Sequence, residues 1–193
     1  PEHGTIWKCR WRTGQMETIG TVRHTPAEPH HIAPRGDQIF AMEHEPNWKF
    51  LIVDLTDGNR WWERPLRHAL NAFAASPSGQ VIALTQSRAP NHLEHIYAEV
   101  VDLTHRTVRQ VGNAKVVAVT NDGNWIACVS APTELSIRET DSQHEICRIN
   151  LEHPAAFAVF TPDAKTIATC GDNRIQLWNL PTGNLVGQLE IKG

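Results

Sequence analysis

The 193-residue sequence lacks the features that mark several large classes of protein. No apolar run approaches the ~18 residues of a membrane-spanning helix, so binding to or insertion in a membrane is not expected. The formal net charge of −3 gives no electrostatic argument for binding nucleic acid. The four cysteines are widely separated and form no C-x-x-C pair, which excludes zinc-knuckle and thioredoxin-type motifs.

Motifs of the common enzyme classes are also missing. The sequence has no glycine-rich phosphate or dinucleotide loop, no G-x-S-x-G and no H-E-x-x-H. The nearest approach to a metal-binding motif is formed by His92, Glu94 and His95. Solvated histidines on a long loop explain that segment more simply than a metal site does. We therefore expect a non-catalytic protein without cofactor or metal, and the separated cysteines fit a reducing, cytoplasmic setting.

What the sequence does contain is an internal repeat. A short pattern recurs four times, in which apolar residues lead into a turn and then into a second apolar run. Its turns are marked by Pro34, Pro77, Asn121 and Pro162, at intervals of 43, 44 and 41 residues. Pro presets the backbone for such turns, and the Gly that follows in three of them tolerates a positive φ. Repeats of ~40–45 residues are typical of four-stranded units.

A second series of positions supports the same repeat. Five four-residue runs that each end a strand are followed by turns, and their third residues are Arg10, Asp54, Asp102, Glu139 and Asn179. Two independent series predict an all-β chain of four-stranded antiparallel sheets. Leu66, Leu70 and Phe73 follow a helical spacing that competes with this interpretation. The repeat instead assigns residues 71–75 to a first strand, and we give the repeat precedence.

The last repeat resembles a blade of the WD-repeat family. It reads Phe160-Thr-Pro-Asp-Ala-Lys-Thr-Ile-Ala and then Ile175-Gln-Leu-Trp-Asn-Leu-Pro-Thr-Gly, with Trp178 and Asn179 in the Trp-Asp position. The other repeats keep at most the aspartate, as at Asp54. The resemblance implies a β-propeller, which is a ring of four-stranded antiparallel blades, used mostly as a rigid platform for partner proteins.

The resemblance also implies a structural polar set that stiffens the blade. It consists of a histidine, a threonine, an aspartate and the tryptophan, which correspond to His153, Thr169, Asp172 and Trp178. His68 is the matching histidine of an earlier repeat, since it lies nine residues before Pro77, as His153 does before Pro162. The segment from Thr169 to Asp172 is one residue shorter than the family pattern.

The repeat divides the chain into one outer half blade and four blades. Their ranges are 1–23, 24–67, 68–111, 112–152 and 153–193. The first range supplies a third and a fourth strand, and the last range closes with a fourth strand. This order of strands at the two ends predicts that the chain is the C-terminal part of a larger ring of about seven blades, and that the missing part of the ring is a partner. A complete, irregular small ring is the alternative.

A protein-interaction scaffold or sensor is the function that we expect. Loops on a rigid scaffold often carry binding residues, and Trp and Arg are common at interface hot spots. The candidate partner surface comprises the turn before a third strand and the expanded loop 86–95, with Trp48, Arg88, His92, Glu94 and His95. Two alternatives remain open: a purely structural propeller that organises neighbouring domains, and an enzyme with a metal site at the channel mouth.

Overall fold

The structure is a computed structural model of the 193-residue chain. It describes residues 3–10, 15–23, 31–32, 38–43, 49–54, 60–87 and 96–191. These described residues form eighteen β-strands, and no helix among them is long and apolar enough to cross a membrane. The chain divides into two compact units, Pro1–Ala69 and Leu70–Gly193.

The first unit contains two antiparallel sheets. Sheet A pairs β1 (His3–Arg10) with β2 (Gln15–Arg23). Sheet B has the order β3 (His31–Ile32), β4 (Gln38–Glu43), β5 (Lys49–Asp54) and β6 (Arg60–Pro65). Phe50, Leu51 and Ile52 of β5 are all buried. Since successive side chains of a strand point to opposite faces, β5 is buried on both sides.

The second unit contains three sheets of four strands each, in chain order. Sheet C consists of β7 (Ala69–Ala75), β8 (Val81–Ser87), β9 (Ile96–Asp102) and β10 (Thr107–Gly112). Sheet D consists of β11 (Lys115–Val119), β12 (Trp125–Ala131), β13 (Glu134–Glu139) and β14 (Glu145–Asn150). Sheet E consists of β15 (Phe157–Phe160), β16 (Thr166–Gly171), β17 (Arg174–Asn179) and β18 (Leu185–Glu190).

The all-β class and the four four-stranded antiparallel sheets are confirmed, and none of the described sheets closes into a ring. Five strands end at the third residues of the predicted runs, one residue before each run ends: Arg10, Asp54, Asp102, Glu139 and Asn179. Residues 71–75 lie in a strand and not in a helix. Gln86 and Ser87, which were predicted to begin the expanded loop, instead lie in β8 and pair with β9, and residues 88–95 lie outside the described residues.

Buried apolar side chains join sheets C, D and E. One cluster contains Ala83 and Val100 of sheet C together with Ile126 of sheet D. A second cluster contains Ala127 of sheet D together with Phe160, Ile167 and Trp178 of sheet E. Ile126 and Ala127 are neighbours on β12 and both are fully buried, so sheet D is covered on both faces.

The turn between the first and second strands has the same hydrogen bonds in all three sheets. Backbone N–H groups donate to the carbonyl oxygen three residues earlier, in the pairs Gly79–Ser76, Gly123–Thr120 and Ala164–Thr161, at 2.8, 3.0 and 2.9 Å. The hydroxyl groups of Ser76, Thr120 and Thr161 each accept a bond at 3.1 Å, from the N–H groups of Val81, Trp125 and Thr166. The sequence repeat is therefore also a repeat of backbone geometry.

These turns are also bonded from one sheet to the next. The side-chain oxygen of Asn121 accepts the N–H of Ser78 at 2.8 Å, and its amide donates to the carbonyl of Pro162 at 3.2 Å. One side chain thus links the turns of sheets C, D and E. Arg109 of β10 adds a second link from sheet C to sheet D, because its guanidinium donates to the Gly123 carbonyl at 2.6 Å.

Ala164→Gly is expected to stabilise the protein by about 0.5–1 kcal/mol. Ala164 has φ +55°, at the turn position where the other two sheets have Gly79 and Gly123 with φ +71° and +68°. A side chain in this left-handed region costs ~1–2 kcal/mol, which exceeds the entropic cost of ~0.5–1 kcal/mol that glycine brings. Urea unfolding of both proteins measures the difference.

The matched control for this prediction is the opposite change, Gly123→Ala. It should be destabilising because its β-carbon would be strained at φ +68° and would also overlap the guanidinium of Arg109. A loss of stability in Ala164→Gly would contradict the equivalence of the three turns.

Candidate functional site

The predicted partner surface lies outside the described residues, because Trp48 belongs to 44–48 and Arg88, His92, Glu94 and His95 belong to 88–95. Both segments connect the second strand of a sheet to its third, β4 to β5 and β8 to β9. The same connections in sheets D and E are two-residue turns, Pro132-Thr133 and Asp172-Asn173. Long connections of this type therefore occur in sheets B and C.

The predicted polar residues of the last sheet form two pairs in the structure. Trp178 Nε1 donates to Thr169 Oγ1 at 2.9 Å, and both residues are buried. His153 Nε2 lies 3.3 Å from Asp172 Oδ2, with side chains that are 49% and 61% exposed. The first pair belongs to the core between sheets D and E, whereas the second joins two surface connections. His68 is half-buried in the bend before β7.

Close backbone packing shapes the chain around the His153–Asp172 pair. A β-carbon at Gly171 would overlap the carbonyl oxygen of Pro154, so this position has room only for glycine. Asp172 and Asn173 both have positive φ, at +50° and +57°. A two-residue hairpin of this kind favours Asp and Asn, which tolerate the left-handed region. Local sequence therefore fixes the hairpin that presents Asp172.

Sheet E exposes an apolar face that sequence analysis did not single out. Among the described residues, the exposed large apolar side chains all belong to sheet E or follow it directly: Phe157, Val159, Leu177, Leu185, Val186, Leu189 and Ile191. Phe157 and Val159 point away from sheet D, because Phe160 of the same strand packs toward it. A depression of about 180 Å³ lies on this outer face and is lined by Phe157, Val159, Ala168, Cys170 and Ile175, among others.

A charged network joins the two outer strands of sheet D. The guanidinium of Arg148 donates to Glu145 at 2.8 and 3.0 Å and to Glu134 at 3.1 Å. The hydroxyl of Ser136 donates to Glu145 at 2.6 Å and accepts from Arg138 at 2.8 Å. Arg148, together with Ser136, lowers the pKa of Glu145 from 4.5 to about 2. The Arg148–Glu134 pair joins opposite charges across neighbouring strands, which is a stabilising role.

The depressed pKa of Glu145 predicts a pH-dependent contribution to stability. The contribution is fully present above pH 4.5, the pKa in the unfolded chain, and is lost as the pH falls toward 2. Glu145→Gln should therefore lower the melting temperature at pH 7, and the difference from wild type should shrink between pH 4.5 and 2. Thermal unfolding at several pH values measures this. A difference that stays constant down to pH 2 would contradict the assigned network.

The described part of the chain contains no group of three or more His, Cys, Asp or Glu side chains that could hold a metal ion. The sequence matches no model of a known protein family, and a search of curated proteins found no match. The functional assignment therefore depends on the repeat and on the geometry of the sheets.

Proposed function

We propose that the chain is a segment of a WD-repeat-type β-propeller and acts as a non-catalytic scaffold or sensor that binds proteins. The turn hydrogen bonds repeat in sheets C, D and E, which supports a constant step from sheet to sheet. The first strand of sheet D, β11, contacts both β8 and β15, so inner strands of successive sheets are neighbours. This is the neighbour relation of blades in a propeller.

The binding role is supported by a difference between the two ends of the sheets: the turns at one end are constant, and the connections at the other end vary in length. In sheets C, D and E, the turns between first and second strands keep one geometry and are bonded to each other through Asn121. The connections between second and third strands vary, from two residues in sheets D and E to segments 44–48 and 88–95. A rigid frame with variable loops is the arrangement in which loops commonly bind partners.

The proposed partner surface comprises Trp48, Arg88, His92, Glu94 and His95. Trp and Arg supply large contact areas and are enriched at interface hot spots. The partners are proteins, and the remaining blades of the propeller are one of them. The net charge of −3 favours neither nucleic acid nor an anionic membrane. The separated cysteines support a cytoplasmic location.

The test is a pull-down from a lysate of the source organism with wild type and two variants. One variant is Trp48→Ala; the other replaces residues 88–95 by Asp-Asn, the turn that sheet E uses at the same place. We expect a partner that wild type retains and that each variant binds at least about tenfold more weakly. Circular dichroism checks that all proteins are folded.

The control variant is Lys165→Ala, which removes an exposed side chain from the turn at the opposite end of sheet E. It should retain the partner as well as wild type does. Equal retention by all four proteins would contradict the proposed surface. If wild type retains no protein specifically, the binding role itself is contradicted and a purely structural role is supported.

A further inference from the structure

The outer face of sheet E corresponds, position by position, to the face through which sheet D packs on sheet E. The correspondence is fixed by Thr120 and Thr161, which make the same turn hydrogen bonds. Counting from these residues gives the pairs Ala118–Val159 and Ala127–Ala168. The strand pairing then gives Leu135–Ile175 and Ile137–Leu177, because Ala127 is paired with Ile137 and Ala168 with Leu177, and a bulge in β12 shifts the count by one residue.

Burial of these positions is opposite in the two sheets. In sheet D, Ala118 and Ile137 are 1% and 0% exposed, and both belong to the cluster shared with sheet E. In sheet E, the corresponding Val159 and Leu177 are 46% and 39% exposed. The same apolar positions are thus covered in one sheet and open to water in the next.

The composition of the outer face favours a covered state. Its alternating positions carry Phe157, Val159, Ala168, Cys170, Ile175, Leu177, Gly187 and Leu189, and none of these is charged. Terminal repeats in stacked arrays normally have a polar outer face, because that face stays in water. Large exposed apolar patches mark interaction sites. Sheet E therefore has the composition of an internal repeat and not of a terminal one.

The backbone after sheet E continues as it does after sheet D. The N–H of Leu151 donates to the carbonyl of Thr133 at 2.8 Å, and the N–H of Ile191 donates to Asn173 at 2.7 Å. Ile191 therefore occupies the place from which, one repeat earlier, the chain passes from sheet D to sheet E. A further repeat would meet the same backbone geometry at this point.

We propose that the outer face of sheet E binds a further four-stranded antiparallel sheet of the same repeat, with large apolar side chains at the positions of Phe160, Ile167 and Trp178. Those residues cover Ala118 and Ala127 between sheets D and E. This inference rests on the proposed propeller arrangement and assigns one of its partners to a defined surface.

The side chains that could cover this face distinguish the occupant from a second copy of the chain. In a second copy, Phe160, Ile167 and Trp178 are already buried against its own sheet D. A further blade would present large apolar side chains at these three positions, and the depression of about 180 Å³ beside Ala168 offers one of them a place.

The experiment extends the full chain by one repeat. A duplicate of residues 152–191 is fused directly after Ile191, which reproduces the junction between Leu151 and Glu152. Cys170 serves as the reporter, because its thiol lies on the outer face and is partly exposed. Thr166→Ser in the duplicate gives its cysteine peptide a different mass, so mass spectrometry resolves iodoacetamide labelling of each site. Cys128 is the slow reference, since burial raises its pKa to about 12.

We expect labelling of the original Cys170 to slow at least about tenfold in the extended chain, while the duplicate cysteine reacts at the wild-type rate. A second extended chain with Phe160→Asp and Ile167→Asp in the duplicate should lose this protection. Unchanged labelling of the original Cys170 would overturn the proposal. A duplicate that stays unfolded would also overturn the proposal. Apart from Thr166→Ser it has the sequence of sheet E, and it differs only in having to pack on sheet E, whereas sheet E packs on sheet D.

Labelling of the unextended chain tests the other occupants. Protection of Cys170 that grows with protein concentration would identify a second copy as the occupant and would overturn the proposal. Protection that persists at high dilution would show that the face is already covered within the chain, and this would also overturn the proposal. The pull-down decides the proposed binding role separately, because the variants at Trp48 and at residues 88–95 leave sheet E unchanged.

Discussion

Phe160→Ala is expected to destabilise the protein by about 3–5 kcal/mol, because it removes a large side chain from a well-packed core. Phe160 is 1% exposed and lies in the cluster between sheets D and E, next to Ile167 and Trp178. The cavity that the substitution leaves would lie between two sheets, where the backbone cannot easily collapse to fill it. Guanidinium chloride unfolding, followed by tryptophan fluorescence, measures the loss.

Phe157→Ala is the matched control, since Phe157 lies three residues earlier on the same strand and faces away from sheet D. Its side chain is 70% exposed. The expected change is within about 0.5 kcal/mol, as for most surface substitutions. If the two alanine variants lose similar amounts of stability, the assignment of one covered and one open face to sheet E is wrong.

The second large effect is expected for Gly171→Ala, which should cost about 1–3 kcal/mol. The added β-carbon would overlap the carbonyl oxygen of Pro154, and a backbone oxygen cannot move aside as a flexible side chain can. The substitution should push apart the connection that carries His153 and the hairpin that carries Asp172. Thermal unfolding gives the stability change.

Gly187→Ala is the control for this second prediction, because it is also a strand glycine of sheet E. The nearest atom to its β-carbon would be Leu177 Cδ1 at 3.5 Å, which is an ordinary contact. It should leave stability unchanged or raise it by up to about 1 kcal/mol, since alanine has less chain entropy to lose. Equal losses in both variants would show that strand glycine in general, and not the contact with Pro154, is responsible.

The strand boundaries were predictable because the signals that set them are local. Turn residues such as those around Pro77 and Asn121 recur at the repeat length, and they therefore define where the strands of each repeat begin and end. The repeat also corrected a misleading local pattern: residues 71–75 belong to β7 despite the helical spacing of Leu66, Leu70 and Phe73. Consistency over several repeats outweighed the periodicity of one short segment.

The exposed face of sheet E could not be predicted from the sequence. Phe157, Val159 and Phe160 form one apolar run, which looks the same whether a strand is covered on one face or on both. Whether a strand face is covered depends on the neighbouring sheet and not on the local sequence. Val159 is open to water, whereas the corresponding Ala118 is buried. The link through Asn121 could not be predicted either, because the asparagine stands where the three other repeats have proline and its partners are 43 and 41 residues away.

The two proposals place two different binding functions on two different parts of the surface. The loop ends of sheets B and C are proposed to bind a partner protein, and the outer face of sheet E is proposed to bind the next blade. The first task needs variety in loop sequence, and the second needs the apolar positions that sheets D and E share. A substitution such as Leu177→Asp should therefore affect assembly of the propeller and leave binding at the loops unchanged.

Native-state hydrogen exchange reports directly on how well each sheet is covered. Sheet D has both faces covered and sheet E has one, so sheet E should open at a lower free energy. We predict that amides of β15–β18 exchange at least about tenfold faster than those of β11–β14, and that both sheets are protected relative to the unfolded chain. Equal protection of the two sheets, or stronger protection of sheet E, would contradict the uncovered face on which the account depends.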